Sequence, residues 1–529
     1  MINLKKNNER IFSILLFSII FVTGLYVFRD YGVNLDDEAY RQNGLNAYNY
    51  IKNFFSTNNK SQNLLIWPTL YEILLAFCSD LFSVDETNKI YHLSHLLNFL
   101  IFFIALLFFY QFVKNKLNSS ILAYIAVITL FLTPRIFAES FYNSRDIFFL
   151  SLFIFNIFSS FNFLNKPNKK NLIFYSLTSA LLIDAKIVGI VPVIIFLSLY
   201  IYNSFSNAFL KIKDIKLILT SSTLILFFSY ILWPYLWSDP VNNFILSFKN
   251  NITEQNTLAV INYYFGKYIS SLDTPWHYRI VWLLITVPVT IIVFFLIGFI
   301  HIAKMVFKRL GNVSESNSNI WKNKNEMFDF YLFTVFFSIF FLTTIFNTSQ
   351  FGGWRHLYFT YPILILFSMI GMNNLILQLK KKIFEKIIVS IIFLNLTYLA
   401  FWNVINHPHQ QVYFNLLSKA YAKNNFDLDY WGLSNLYSMK YIANNNQEYP
   451  LKVGTVSFAS LEASLLILEN SEIQKFKIIH DLENADFLIS NYMKRVRKNF
   501  NIDNEKYIKY FEIIVDGVPI NTVYKKVKK

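Results

Sequence analysis

Cysteine and the common nucleotide-binding and metal-binding motifs are scarce or missing in this 529-residue sequence. The single cysteine, Cys78, cannot form a disulfide within the chain, which excludes a disulfide-stapled secreted scaffold and a cysteine-rich metal site. The sequence has no Gly-rich phosphate loop, no His-Glu-x-x-His string and no Gly-x-Ser-x-Gly string. The sequence therefore lacks the motif evidence that would indicate an ATP-driven pump, a zinc protease or a serine hydrolase with these motifs.

Charged residues are few, at 15%, whereas 54% of the residues are hydrophobic and 19% are aromatic. The charges form short clusters between apolar runs, which are long enough to cross a hydrocarbon layer of roughly 30 Å as helices. We therefore predict an all-α polytopic membrane protein. The net charge is +15, but the basic residues mostly flank apolar runs, where they orient helices and contact anionic membrane lipids. No compact basic domain indicates a nucleic-acid partner.

The apolar runs predict about eleven transmembrane helices. The first run, Ile11 to Phe28, follows basic residues and lacks a small-residue cleavage site, so we expect an anchor and not a removed signal peptide. The other runs lie near residues 90–113, 121–133, 147–165, 172–183, 187–202, 217–236, 280–303, 329–346, 357–378 and 387–404. Lys and Arg are concentrated in alternate loops, which predicts a cytoplasmic N-terminus and a C-terminal tail on the opposite side.

The predicted transmembrane domain covers residues 1–404 and includes a large first external loop at 30–89. Within it, Asp184-Ala185-Lys186 interrupts one long apolar stretch, and we interpret it as a tight external turn. The tail, 405–529, has an ordinary charge content and strand-like runs at residues 451–456, 476–480, 487–489 and 511–515, with a helix expected at 461–469. We therefore expect a C-terminal α+β domain outside the membrane.

Three acids, Asp36, Asp37 and Glu38, lie just beyond the first predicted span. Clustered acids raise one another's proton affinity, which can make one of them a general base near neutral pH or let two of them hold a metal ion. A solvated acidic cap on the following helix is the simpler alternative. Both interpretations stay open at this point.

A polar segment, residues 134–146, joins two predicted spans and brings two cations and two acids to the same boundary. Guanidinium groups can grip a phosphate through paired hydrogen bonds, so Arg135 and Arg145 are candidate phosphate ligands. The alternative is a salt-bridged loop in which Arg135 extends toward lipid headgroups. Tyr142 and Asn143, in the same segment, are weaker candidates for substrate contacts.

Lys186 and the pair Arg355-His356 are predicted on the same external face. A cation at the end of a span usually serves as an anchor, and Asp184 could simply pair with Lys186. Cationic groups that converge from separate loops could instead neutralise the phosphate of a lipid whose tail stays in the bilayer. His277 could contact a headgroup or substrate, although its aromatic neighbours are common at any membrane boundary.

Several short sequence motifs occur in an order that resembles the bacterial membrane glycosyltransferases of the GT-C fold. These enzymes are akin to protein O-mannosyltransferases and the lipid A aminoarabinose transferases. The resemblance covers roughly residues 10–435. It rests on the acids after the first span, the Pro-Arg…Phe-Tyr-Asn-x-x-Asp segment at 134–146, and the following strings: Trp233-Pro234-Tyr235-Leu236-Trp237, Pro275-Trp276-His277-Tyr278, Trp354-Arg355-His356 with Pro362, His407-Pro408, Val412-Tyr413-Phe414-Asn415 and Asp429-Tyr430-Trp431-Gly432. Nothing comparable covers the tail after about residue 440.

Enzymes of this family use a polyprenyl-phosphate sugar as donor and an acid of the first external loop as catalytic base. The resemblance implies that Asp37 with Glu38 is the acidic pair of that loop and that Asp146 is the acid of the second loop, while Asp36 leaves the register open. The implied ligands of the donor phosphate are Arg135, Arg145, Lys186, Arg355 and His356, and weaker substrate contacts are Asp36, His277, Tyr142 and Asn143. The second loop has Asn143-Ser144-Arg145-Asp146 where the related pattern often has Asn-Pro-Lys-Asp.

The implied reaction transfers a hexose or pentose, with inversion, to a lipid, glycan or protein acceptor on the non-cytoplasmic face of the bacterial inner membrane. The expected partners are the lipid-linked donor, the acceptor and membrane lipids, and the tail would be periplasmic or extracellular. We assign no metal site and no cofactor, and a divalent metal ion at the acids stays open. The alternatives are a transporter or flippase of lipid-linked sugars, for which inverted repeats and broken helices are expected, and a glycan polymerase or ligase.

Overall fold

The computed structural model describes residues 6–54, 66–206, 212–253, 260–311, 320–346, 348–493 and 502–527, so part of the first predicted loop, 55–65, lies outside the described residues. The described chain is mostly helical. Its helices α1 to α20 are Lys6–Val27, Asp37–Lys52, Leu70–Leu81, Thr87–Leu117, Ser120–Leu132, Pro134–Tyr142, Asp146–Asn165, Lys169–Ala185, Ile190–Ser206, Ile212–Leu232, Pro240–Thr253, Tyr278–Thr286, Val289–Gly311, Lys324–Ile345, Tyr361–Leu379, Lys382–Ile405, Lys419–Asn425, Ser434–Asn444, Glu462–Leu465 and Asn470–Ile473. Its strands β1 to β7 are Ile261–Tyr264, Lys267–Ser270, Leu451–Thr455, Phe476–Ile478, Phe487–Ser490, Tyr507–Val515 and Val518–Lys526.

Eight helices in the described part of the chain are long and apolar enough to cross a membrane, namely α1, α4, α7, α10, α13, α14, α15 and α16. A ninth candidate span results if α5 and α6, which meet at an angle of 65°, are counted as one. The bend lies at Pro134, the first residue of α6. Proline has no amide hydrogen to donate and disfavours a helical conformation in the residue before it, so α5 ends at Leu132.

Every predicted apolar run is mostly helical, but the helices do not all reach the length of a span. Helices α8 and α9 have 17 residues each, fewer than the roughly 20 that a typical crossing needs. Lys186 separates them with an extended backbone (φ −153°, ψ 133°), so the stretch 172–202 forms two helices with a turn between them. The run 280–303 is also divided, because α12 ends at Thr286 and α13 begins at Val289 after a proline.

Contacts between helix termini show which termini lie together at each end of the bundle. At one end Lys116, near the C-terminus of α4, lies 2.8 Å from Asp329, near the N-terminus of α14. Glu9, near the N-terminus of α1, pairs with Lys114 at the same place. The N-termini of α7 and α15 and the C-terminus of α8 meet at the other end. These are the ends that helices running alternately in opposite directions would bring together.

The C-terminal region contains a five-stranded mixed sheet in the order β4-β3-β5-β7-β6. Strand β3 is parallel to β4 and β5, whereas β7 is antiparallel to β5 and β6. Four of these strands overlap predicted runs. Strand β7 was not predicted, and the helix expected at 461–469 is limited to the four residues of α19. A separate two-stranded hairpin, β1-β2, precedes α12.

The tail packs against the end of the bundle that carries Asp146. Trp402 on α16 donates a hydrogen bond from Nε1 to Asp516, between β6 and β7, at 2.9 Å. Tyr437 on α18 donates to the backbone oxygen of Asp30, just after α1, at 2.8 Å. The segment between α16 and α18 therefore lies over the ends of several membrane helices and is placed to form part of a site there.

Candidate active site

Asp146 is the centre of a buried ionic cluster. Its carboxylate contacts Lys186 Nζ and lies 3.0 Å from Arg355 Nη1, and His356 Nδ1 is 3.9 Å away. The Asp146 side chain is 1% exposed, so its interactions are screened far less than they would be in water. Because one carboxylate faces a lysine and an arginine, the immediate cluster carries an excess of positive charge.

Asn143 fixes Asp146 at the start of α7. The Asn143 side chain accepts a hydrogen bond from the backbone N–H of Asp146 at 3.0 Å and donates to its carboxylate at 2.9 Å. It also donates to Glu139 at 2.6 Å, and the other carboxylate oxygen of Glu139 accepts from the Tyr358 hydroxyl at 2.8 Å. Asn143 thus positions the acid, and it links two buried carboxylates into one network.

Asp37 lies at the N-terminus of α2, is partly buried, and carries a perturbed carboxyl group. Burial raises the pKa of Asp37 well above its usual range, and the negative charges of Asp36 and Glu72 add to the increase. A carboxyl that holds its proton more tightly is a stronger base once it is ionised. Asp37 therefore stays a candidate for the general base.

Glu38 has the opposite environment. Burial alone would raise its pKa, but hydrogen bonds from Arg41, Gln42 and Tyr91 outweigh that effect and hold the pKa of Glu38 at about 2. The Arg41 pair is bidentate, with two distances of 2.9 Å, and the Tyr91 hydroxyl lies 2.5 Å away. A carboxylate that is so strongly stabilised in its ionised form is a weak base.

Glu72 connects the first loop to the second and was not predicted. It is 5% exposed and lies 3.7 Å from Arg145 Nε. A Cβ on Gly44 would lie 2.3 Å from the Glu72 Cβ, so only glycine there lets α2 approach α3 this closely. Arg145 also donates to the backbone oxygen of Pro68 at 2.8 Å and packs 4.1 Å from the ring centroid of Tyr40. These contacts bind Arg145 to the first loop.

Arg355 is held by aromatic rings as well as by Asp146. Its guanidinium lies 4.5 Å from the ring centroid of Trp431 and 4.9 Å from that of Phe351, and cation–π attraction strengthens away from water. Gly352 has a φ of +67°, and a Cβ there would lie 2.8 Å from Arg355 Nε. The glycine permits the turn that brings Arg355 against these rings.

The structure places two other predicted residues away from Asp146. Arg135 donates to the backbone oxygen of Tyr413 at 3.0 Å and lies over the rings of Trp282 and Phe414. His277 shares a hydrogen bond of 2.7 Å with the Tyr264 hydroxyl of the β1-β2 hairpin. In the described part of the chain, neither side chain contacts the Asp146 cluster.

Three further placements bear on the sequence predictions. Lys186 pairs with Asp146, so the alternative in which it pairs with Asp184 is wrong. The negative charge of Asp36 contributes to the raised pKa of Asp37. Tyr142 is 1% exposed and packs against Tyr31. Among the described residues, no group of three or more His, Cys, Asp or Glu side chains is placed to hold a metal ion.

Comparisons with known proteins give matches in structure but not in sequence. No family model matches the chain, and no curated protein is significantly similar to it. ArnT from Cupriavidus metallidurans, solved bound to undecaprenyl phosphate, matches with 11% identity over 96% of this chain and 97% of its own, at a TM-score of 0.45. AglB from Archaeoglobus fulgidus, solved with an inhibitory peptide and a dolichol-phosphate, matches with 10% identity over 91% of this chain and 70% of its own, at a TM-score of 0.44.

The Archaeoglobus fulgidus oligosaccharyltransferase in complex with zinc and sulfate matches with 12% identity over 87% of this chain, at a TM-score of 0.47. The chain spans 64% of the length of that oligosaccharyltransferase. These matches extend over 87–96% of this chain, at identities of 10–12%.

Proposed function

We propose that this integral membrane protein is a glycosyltransferase that moves a sugar from a polyprenyl-phosphate donor to a lipid, glycan or protein acceptor. One observation carries the proposal: the loop that carries Asp37, with its raised pKa, is held to the loop of Asp146 by the bond from Asn34 to the Tyr142 backbone oxygen and by Glu72, which lies 3.7 Å from Arg145. An acid on a loop that is joined to a group of buried cations suits a reaction in which a hydroxyl attacks and a phosphate departs.

In the proposed reaction Asp37 removes the proton of an acceptor hydroxyl while the hydroxyl oxygen attacks the anomeric carbon of the donor sugar. The bond between that carbon and the phosphate oxygen breaks, and its electron pair leaves with polyprenyl phosphate. Lys186 and Arg355 stabilise the charge that develops on the phosphate, an effect worth a few kcal/mol for a well-placed group. A single displacement of this kind inverts the anomeric configuration.

The proposed topology has eleven crossings. The eight long helices, the bent pair α5-α6 and the two shorter helices α8 and α9 make up this number. A cytoplasmic N-terminus then places the Asp146 end of the bundle and the C-terminal sheet outside the bacterial inner membrane. This arrangement suits a lipid-linked donor, because such a donor crosses the membrane with its lipid and is available on that side.

The proposed activity is tested with purified full-length protein in lipid nanodiscs and a panel of labelled polyprenyl-phosphate sugars. We expect transfer by the wild type, loss of transfer with retained donor binding in Asp37→Asn, and product of inverted configuration by NMR. Asp30→Asn is the matched control, because Asp30 lies on the same face but pairs with His407 at 2.9 Å. Unchanged transfer by Asp37→Asn would remove Asp37 as the base, and movement of donor across the bilayer without transfer would identify a flippase.

A further inference from the structure

A cavity of about 640 Å³ lies in the C-terminal domain, and none of the residues that line it belongs to the Asp146 cluster. Its first wall is formed by residues 455–462, at the end of β3 and after it, and its second wall by residues 478–483, at the end of β4 and after it. Small-molecule sites in proteins usually have volumes of roughly 300–1,000 Å³. The cavity is therefore large enough for an organic ligand.

The strand order explains why a crevice forms at this place. Strand β3 is parallel to β4 and to β5, and the chain runs from β3 to β4 on one side and then to β5 on the other side of β3. Crossovers between parallel strands are nearly always right-handed, so two crossovers in opposite directions lie on opposite faces of the sheet. The loops after β3 and β4 therefore separate at the carboxyl ends of these strands, where open sheets of parallel strands bind their ligands.

Hydrogen bonds fix both walls of the cavity. In the second wall, the backbone oxygen of Leu482 accepts from the Tyr507 hydroxyl, at the start of β6, at 2.8 Å. In the first wall, the Val456 N–H donates to the backbone oxygen of Ile489 on β5 at 3.0 Å. The loops are thus held by the sheet itself, and a ligand that enters the cavity does not have to order them.

The charged groups of the lining are carboxylates. Glu462 lies in the first wall, and Asp481 and Glu483 lie in the second. Within the described ranges these three side chains form no ion pair, and no lysine or arginine lines the cavity. The chain as a whole carries a net charge of +15, so the cavity is opposite in sign to the protein around it. A phosphate or another anion is disfavoured here, and a cation is attracted.

The rest of the lining distinguishes an organic cation from a metal ion. In the part of the chain that the structure describes, no group of three or more His, Cys, Asp or Glu side chains is placed to hold a metal ion. The lining includes the apolar side chains of Val456, Ile479 and Leu482 and the hydroxyl groups of Thr455 and Ser460. A carbon framework can pack against these apolar groups while a protonated nitrogen reaches a carboxylate.

We propose that this cavity binds a small organic amine. The carboxylates of Glu462, Asp481 and Glu483 bind its protonated nitrogen, and the apolar side chains of both walls contact its carbon framework. Such a ligand carries the opposite charge to a polyprenyl phosphate. The site is therefore separate from the proposed reaction centre, and the inference does not rest on the proposed function.

The test measures binding of spermidine and of glucosamine to the full-length protein in phosphatidylcholine nanodiscs by titration calorimetry. Spermidine represents aliphatic amines and glucosamine represents hydroxylated amines, so the two ligands distinguish the two sources of the same chemistry. Glucose and glucose 6-phosphate are the neutral and anionic comparison ligands, and Mg²⁺ is the metal. We expect saturable binding of at least one amine and none of the three comparison ligands.

The double variant Glu462→Gln with Glu483→Gln should weaken amine binding about tenfold or more, as expected for loss of charge-assisted hydrogen bonds. Glu505→Gln is the matched control, because Glu505 is an exposed glutamate of the same domain that does not line the cavity. Ser460→Trp keeps all the carboxylates and fills the space between the walls, so it should abolish binding. Unchanged affinity in Ser460→Trp would show attraction to surface charge and would overturn the cavity site.

Should Ser460→Trp fail to fold, labelling of the wild type with diethyl pyrocarbonate gives a second measurement. The bound amine must protect His480, which lines the cavity, but not His277 beside the β1-β2 hairpin. Equal labelling of His480 with and without the amine would overturn the inference. Binding of neither amine, preference for glucose 6-phosphate or Mg²⁺, or an equal loss of affinity in Glu505→Gln would also overturn it.

Discussion

Asn34 donates a hydrogen bond from its side-chain amide to the backbone oxygen of Tyr142 at a distance of 3.0 Å. The two residues are 108 positions apart in the sequence. Asn34 lies three residues before Asp37, and Tyr142 lies four residues before Asp146. This buried bond therefore holds together the two loops that carry the proposed base and the centre of the cationic cluster.

The activity should depend on pH through Asp37, which acts as a base only when it is ionised. Because burial raises its pKa, the ionised fraction and kcat/KM should rise with pH through a midpoint above the ordinary aspartate range. Asp36→Asn removes a neighbouring negative charge, so it should lower this midpoint. The measurement is kcat/KM between about pH 4 and pH 8. Glu38→Gln should leave the midpoint in place, because the pKa of Glu38 is about 2. If kcat/KM of that variant no longer fell at low pH, Asp37 would not be the titrating base.

Replacement of Asp146 should destabilise the protein. Asp146→Asn leaves Lys186 and Arg355 buried without their carboxylate, and loss of one partner from a buried ion pair costs about 3–5 kcal/mol. The unfolding of the purified protein in detergent measures this loss. Asp80→Asn is the control, since Asp80 pairs with Lys52 at the surface with 52% of its side chain exposed. An equal effect of both variants would show that burial does not strengthen the Asp146 contacts.

Arg355→Lys should impair donor binding although it preserves the charge. A lysine cannot stack its flat face on Trp431 and Phe351 as the guanidinium does. We expect the donor KM to rise roughly tenfold, as a partly buried cation–π contact would predict. Arg29→Lys provides the conservative control at an exposed position. A donor KM that is unchanged in Arg355→Lys would mean that charge alone, and not stacking, holds the donor.

Gly352→Ala should strain the turn before Arg355. The backbone φ of +67° is unfavourable for alanine, and the new Cβ would approach Arg355 Nε to 2.8 Å. We expect a loss of about 1–2 kcal/mol of stability, together with weaker donor binding. Gly311→Ala is the control, because a Cβ at Gly311 has no neighbour within 4 Å. Equal melting temperatures of Gly352→Ala and the wild type would show that alanine does not strain this turn.

The single cysteine makes the topology accessible to labelling. In a Cys78→Ser background, we expect Ser83→Cys and Glu505→Cys to react with an impermeant maleimide added outside intact cells. Lys308 lies near the C-terminus of α13, which the proposed topology places on the cytoplasmic side. Lys308→Cys should therefore react only after the membrane is opened. Labelling of Ser83→Cys and Glu505→Cys from opposite sides would show that the first loop and the C-terminal sheet do not share a compartment.

Residues that lie at the ends of apolar runs could be placed from the sequence, because alternating spans return every second loop to the same face. Asp146, Lys186 and Arg355 were grouped in this way, and the structure brings them into contact. The division of 280–303 and the shortness of α8 and α9 were harder to predict, since hydropathy measures how apolar a run is and not where its backbone breaks.

The residues that were missed carry no local signal. Glu72 lies within the apolar helix α3, and only the packing of α2 against α3 reveals that it faces Arg145. Strand β7 contains Pro519, which weakens a strand prediction. Long-range pairing, which a single sequence does not display, decided each of these cases.

The contact between Arg355 and Trp431 also constrains how the protein is made. Arg355 is inserted near the start of α15, whereas Trp431 follows α16 by 26 residues. During synthesis the arginine enters the membrane region before its aromatic wall has been translated. In the proposed topology the last span must be integrated and the following segment exported before Trp431 can reach Arg355, so a chain that ends within α16 would lack this wall of the proposed site.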